Sequence, residues 1–254
     1  VNCSSIFAVV NSSLSKEVIV TGGLAGDGAR FKETWILKDA KPQTGFVSAL
    51  GYYGSRFKIG QGSQGGWDIF GVERVVTKAK NNVLYELDGR PALDLYKEYL
   101  GEKSSELPAS ALLFPLQIRT NKNDSAALVR TVLAVDETTK SMTFAGDIPT
   151  GSLAQLMRAN FDRLIDGASL AASRVSTNVG NQENPLLAIA ISCVGRRLVL
   201  GERIEEEVEA TLSKLPRGTK QVGFYSYGEI SPYVAEGSCE LHNQTMTLTT
   251  LYEE

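Results

Sequence analysis

The chain has 254 residues, with 26 lysines and arginines against 29 aspartates and glutamates, for a formal charge of −3. Hydrophobic residues make up 43% and charged residues 22%, a soluble globular balance that excludes intrinsic disorder, collagen and coiled coil. The slightly acidic balance argues against non-specific nucleic-acid binding, which needs a basic footprint.

A chain this long folds without staples, as one large domain or two small ones. Its cysteines, Cys3, Cys193 and Cys239, have no CxxC spacing. That argues against a zinc site or disulfide scaffold and points to reduced cytoplasm. The longest apolar run, 186–191, is too short to span a bilayer. Residues 1–3 lack the basic start of a signal peptide. The expectation is a cytoplasmic protein with no membrane insertion.

In chain order, Ile6, Phe7, Val9, Val10 and Leu14 recur at helical spacing, so residues 1–17 read as the tail of a helix. Strands are predicted at 18–21, 33–37 and 46–50, with a glycine-bearing loop at 22–28. Residues 52–71 are rich in glycine and aromatics. The runs 74–79 and 83–87 flank Asn81-Asn82, a hairpin signal. Asp88 and Pro91 open a helix whose apolar face is Leu93, Tyr96, Tyr99 and Leu100, ended by Gly101.

Residues 102–110 read as a polar linker. Strands follow at 112–118, 128–135 and 142–144. The longest helix is predicted over 152–174, from Leu153, Leu156, Met157, Phe161, Leu164, Ile165 and Ala168. A loop at 178–184 leads to a buried strand at 186–192. A helix over 202–215 turns Ile204, Val208, Leu212 and Leu215 inward. Strands at 222–227 and 240–251 close the chain.

This order predicts an α+β fold of mixed, largely antiparallel sheets packed together with helices outside. A two-layer α/β sandwich is the runner-up. Leu14-Ser15-Lys16 and Leu212-Ser213-Lys214 each follow a helix and precede a strand, a glycine-bearing loop and a strand. That echo predicts pseudo-symmetric halves with a ligand cleft between them.

Gly60-Gln61-Gly62-Ser63-Gln64-Gly65 matches GxGxxG, but a dinucleotide site needs a helix next. Residues 67–79 read as strand, and Glu86 falls in the hairpin. The glycines are read instead as a turn where backbone packs closely. Gly22 to Gly28 lacks the Lys-Ser/Thr of a phosphate loop.

His242 is the only histidine, so neither a Ser-His-Asp triad nor a multi-histidine metal site is easily built. It reads as a structural histidine or an axial haem ligand. Tyr225, Tyr227 and Glu229 cluster at a strand end, where Glu229 could receive an ammonium group. Arg196 or Arg197 could hold a carboxylate, and Cys193 offers a thiol. Arg56 and Trp67 flank the glycine-rich segment and add a cation and a stacking surface.

Several strings recur in an order and spacing that resemble the FIST (F-box and intracellular signal transduction) sensory family. They are Asn82-Val83-Leu84-Tyr85-Glu86-Leu87-Asp88-Gly89-Arg90-Pro91-Ala92, Ser192-Cys193-Val194-Gly195-Arg196, Gly223-Phe224-Tyr225-Ser226-Tyr227-Gly228-Glu229-Ile230 and His242-Asn243-Gln244-Thr245. Gly22-Gly23-Leu24-Ala25-Gly26-Asp27 resembles the end of that family's N-terminal portion. On this resemblance, residues 1–51 are the end of the N-terminal portion and 52–254 the C-terminal portion.

The resemblance implies a bacterial cytoplasmic domain that binds a small molecule, amino acids among the candidates. It also implies an output partner such as a histidine kinase or diguanylate cyclase. No cofactor is expected on the main reading. The ligand-contact residues are then Tyr225, Tyr227, Glu229, Arg196 and His242, with Arg56 and Trp67. For an amino acid, Arg196 would hold the carboxylate and Glu229 the amine. Some relatives sense nitric oxide through haem, and there His242 would be the axial ligand. An enzyme with Cys193 as nucleophile is the remaining alternative and needs His242 as its base.

Overall fold

The computed structural model describes residues 4–15, 17–121, 127–179, 185–232 and 238–253. The α+β class with mostly antiparallel sheets is as expected.

One sheet runs in the order Lys220–Ser226, Leu187–Cys193, Met246–Glu253, Phe57–Gln64. The first pair is parallel and the other two are antiparallel. A parallel pair needs a long crossover, here the helices Val194–Leu200 and Ile204–Leu212. The helix Phe161–Val179 covers one face, packing Ala168, Ala171, Ala172 and Val175 on Ala188, Met246 and Leu248.

Small residues let that helix come unusually close. A Cβ on Gly62 would lie 2.2 Å from the Ala171 carbonyl, and one on Gly167 would lie 2.2 Å from the Gly65 carbonyl. The GxGxxG string is therefore strand rather than turn, and its glycines make room for a helix lying across it.

A second sheet holds nine strands. Its main path is Leu128–Arg130, Leu116–Arg119, Leu153–Arg158, Arg74–Lys80, Val83–Leu87, Ser141–Phe144, Val132–Asp136. With the helix Ala92–Leu100 it encloses the largest core, including Leu84, Leu93, Leu95, Met142 and Phe144. A third, three-stranded sheet joins Gly22–Gly23 to Glu229–Pro232 and Cys239–His242. The hairpin Ile36–Lys38 with Lys41–Gln43 stands by itself.

Several expected elements differ. The helix expected from 152 begins at Phe161, and Leu153–Arg158 is a strand between two neighbours. Leu153, Leu156 and Met157 fit either period, and sheet pairing decides. Asn160 then starts the helix by accepting the Arg163 N–H at 3.2 Å. Residues 18–21 and 46–50 form no strand, and Val18, Val47 and Leu50 are exposed. The expected linker at 102–110 falls largely in the 3₁₀ turns Gly101–Glu106 and Ala109–Leu113. The strand expected over 240–251 is two strands, broken at Asn243-Gln244-Thr245, where Gln244 has φ 63°. Part of the expected loop at 178–184 lies outside the described residues.

Candidate functional site

The buried strand Leu187–Cys193 runs directly into the helix Val194–Leu200, with Cys193 extended at the junction. That junction carries Arg196 inward, with no exposed surface. Its Nε donates to Glu207 Oε1 at 2.6 Å. Nη1 donates to the carbonyls of Gly65 at 2.5 Å and Gln244 at 3.4 Å, and Nη2 to that of Leu164 at 2.6 Å. Glu207 also accepts the Ser192 hydroxyl at 3.2 Å and the Tyr225 hydroxyl at 3.3 Å. Trp67 donates its indole N–H to the Gln244 carbonyl at 3.0 Å. Arg196, Trp67 and Tyr225 thus gather around Glu207 and Gln244. Every nitrogen of Arg196 is engaged inside the protein, so it braces four segments instead of presenting a carboxylate clamp.

Glu229 is fully buried one turn of chain beyond Ser226. Its Oε1 accepts the Ser226 hydroxyl at 2.6 Å, and its Oε2 accepts the Thr245 N–H at 3.1 Å and hydroxyl at 3.0 Å. Burial pushes its carboxyl up to about 7, against those hydrogen bonds and the Arg196 charge. His242 is its register partner across the ladder. The His242 Nε2 lies 3.0 Å from the Ser231 carbonyl. Burial drives the imidazole down to about 4, so the ring is neutral.

Tyr227 points elsewhere. Its hydroxyl contacts the Asp27 carboxylate, lies 2.9 Å from the Gly28 carbonyl and accepts the Phe31 N–H at 3.2 Å. Its ring stacks on Phe31 at 4.8 Å. Arg56 stands apart on the surface, paired with Glu253. Arg197 sits over the Tyr225 ring at 5.3 Å.

Sequence reasoning missed Gln244, Asn243 and Ser231 as candidate contacts. Gln244 has no exposed surface, yet neither atom of its amide has a hydrogen-bond partner. Asn243 Oδ1 and Ser231 Oγ are likewise buried and unpartnered. The amide packs on Gly195, where a Cβ would lie 2.6 Å from Nε2. Buried polar groups are nearly always satisfied, so these atoms stand out from the rest of the interior. The one available signal was the broken alternation after His242.

A haem does not fit His242 as it stands. The residue is 5% exposed at the end of the edge strand Cys239–His242, which pairs with Glu229–Pro232, and its Nε2 is held on the Ser231 carbonyl. An iron bond there would displace that contact and open the ladder. Cys193 fits a nucleophile no better. It is buried, and burial and Glu229 push its thiol well above the ordinary range. No group of three His, Cys, Asp or Glu suited to a metal occurs among the described residues. No helix among them is long and apolar enough to cross a membrane.

The chain is 26% identical over 243 residues to an uncharacterized protein of Methanocaldococcus jannaschii, covering 87% of this chain and 43% of that one. Uncharacterized proteins from two strains of Mycobacterium tuberculosis are 24% identical over 236 residues, covering 90% of this chain and 60% of theirs. The chain therefore spans about half the length of the curated relatives it matches. No solved structure matches it. The FIST N domain model matches residues 1–90 and the FIST C domain model residues 92–232. Together these matches span most of the chain, which belongs to the FIST family of signal-transduction sensory domains.

Proposed function

We propose that the chain senses a small polar metabolite at the turn 243–245, with amino acids the class to test first. The observation that carries this reading is the Gln244 side chain, buried with both amide atoms unpartnered. A terminal amide offers an NH2 donor group beside an acceptor oxygen; for an amino acid the NH2 donates to the ligand carboxylate and the oxygen accepts from its ammonium. Gln244 takes over the anchoring role first expected of Arg196. Glu229 lies behind the turn through Thr245, and a ligand ammonium nearby would drive it to its ionised form.

Transmission follows from the brace. Arg196 holds the Gln244 carbonyl and Glu207 together, so occupancy at the turn biases the helix Ile204–Leu212. A cytoplasmic partner, such as a histidine kinase or diguanylate cyclase, reads that helix.

The test is a thermal-shift titration of the twenty amino acids on wild type and Gln244→Asn. Asparagine tolerates the left-handed backbone while shortening the amide. A saturable rise in Tm for some amino acids, weakened at least tenfold in Gln244→Asn, is the expected result. At a hundred times Kd the ligand contributes about 2.7 kcal/mol. No shift with any amino acid, or equal shifts in both proteins, overturns the reading.

A further inference from the structure

Two cationic side chains are buried among the described residues, Arg196 and Arg130. Arg196 has its carboxylate in Glu207. Arg130, 5% exposed at the end of the strand Leu128–Arg130, has none. Its Nε donates to the Asp147 carbonyl at 3.1 Å, and Nη1 to the carbonyls of Leu241 at 3.0 Å and Val129 at 3.3 Å. Its Nη2 makes no hydrogen bond among the described residues, and no carboxylate among them forms an ion pair with it. Buried charges are normally paired.

The guanidinium is also locked in position. A Cβ on Gly146 would lie 2.9 Å from its Nε, so the chain passes flat against it. Beside it in sequence, the buried Thr131 hydroxyl lacks a partner. Burial lowers the Arg130 pKa to about 10, which leaves it charged at neutral pH.

We infer that Arg130 is an anion-receiving site whose Nη2 takes a carboxylate oxygen of a small ligand. The charge pattern selects a single negative charge. The Glu240 carboxylate and the Asp147 carboxylate both act on Arg130 through space without an ion pair to it, so each negative charge a ligand carries beyond the one that Nη2 receives adds repulsion, and a dianion such as phosphate binds more weakly than acetate. The site lies where Arg130 grips the Leu241 carbonyl, not at the Gln244 turn, and it stands or falls separately from the reading above.

The experiment uses the guanidinium's own signal. The Nε–H resonance of Arg130 is followed by ¹⁵N NMR while sodium acetate replaces sodium chloride at constant ionic strength, with Arg130→Lys assigning the peak. A saturable shift with acetate supports the site. A linear drift shared with the exposed Arg56 and Arg197 overturns it. Glu240→Gln keeps every hydrogen bond of Arg130 and removes a nearby negative charge, so it tightens acetate binding several-fold. An unchanged acetate affinity in that variant, or phosphate at pH 8 binding as tightly as acetate, overturns the monoanion assignment. Should Arg130→Lys fail to fold, through-bond correlation of the side chain to the Arg130 backbone assigns the peak, and the wild type and Glu240→Gln titrations decide the matter.

Discussion

Arg196 and Glu207 meet with Nε 2.6 Å from Oε1, and neither side chain has exposed surface. Removing one partner leaves a buried charge alone, which costs about 3–5 kcal/mol. Arg196→Met and Glu207→Gln are each expected to lower the unfolding free energy, read from urea titration, by that amount. The double variant Arg196→Met/Glu207→Met should lose less than the sum. A loss under about 1 kcal/mol in either single variant would place the pair with surface ion pairs instead.

Glu229 makes stability depend on pH. Its folded carboxyl is raised to about 7 from an ordinary 4.5, so the folded state holds a proton that the unfolded chain releases. That contribution is complete below about 4.5 and is lost as pH rises through 7. Glu229→Gln should therefore stabilise at pH 8, by up to about 3 kcal/mol on the size of the shift, and change little at pH 4.5. The amide oxygen can still accept from Thr245 while the amide nitrogen faces Ser226. Equal effects at both pH values would mean the carboxyl is ionised throughout.

His242 runs the opposite way. Its folded pKa is depressed to about 4, so the unfolded chain takes up the proton first and stability falls as pH drops from about 6.5 towards 4. His242→Gln should flatten that acid limb in Tm measured against pH. A limb of unchanged slope would assign it to other groups.

The same burial bears on haem. Ferrous haem added to the protein, with and without nitric oxide, is expected to give no Soret band that His242→Ala abolishes. A sharp band lost in that variant would show that the strands around His242 open far more readily than their hydrogen bonding implies.

Gly62 tests the close approach of helix and sheet. A methyl there would lie 2.2 Å from the Ala171 carbonyl, and backbone cannot rotate away as a side chain does. Gly62→Ala should cost about 1–3 kcal/mol or more, the scale of overpacking, read from the urea midpoint. A neutral result would mean the helix slides freely on the sheet.

Much of the fold was legible because local signals agreed with the final pairing. The hairpin around Asn81-Asn82, the helix closed by Gly101 and the buried strand near Ile189 stand as read. Leu153 to Met157 misled because strand neighbours, which lie far away in sequence, override a helical period. The site was less legible. Arg196 looked like a ligand clamp because its type suits carboxylates, but only the fold brings Glu207 and three carbonyls to it. Gln244 and Arg130 were invisible for the converse reason: what singles them out is a missing partner at depth, and depth is not written in local sequence.

The strand Phe57–Gln64 belongs to the stretch matched by one family model, yet its ladder partner is Met246–Glu253, near the far end of the chain. Gly22–Gly23 likewise pairs with Glu229 and Ile230, and the Arg196 brace reaches back to Gly65. A cut in the turn at Asp88-Gly89 would therefore not release two self-sufficient bodies. Each fragment would carry part of a shared sheet, and their reassembly in trans would make a split protein whose complementation reports on whatever tightens or loosens the joint.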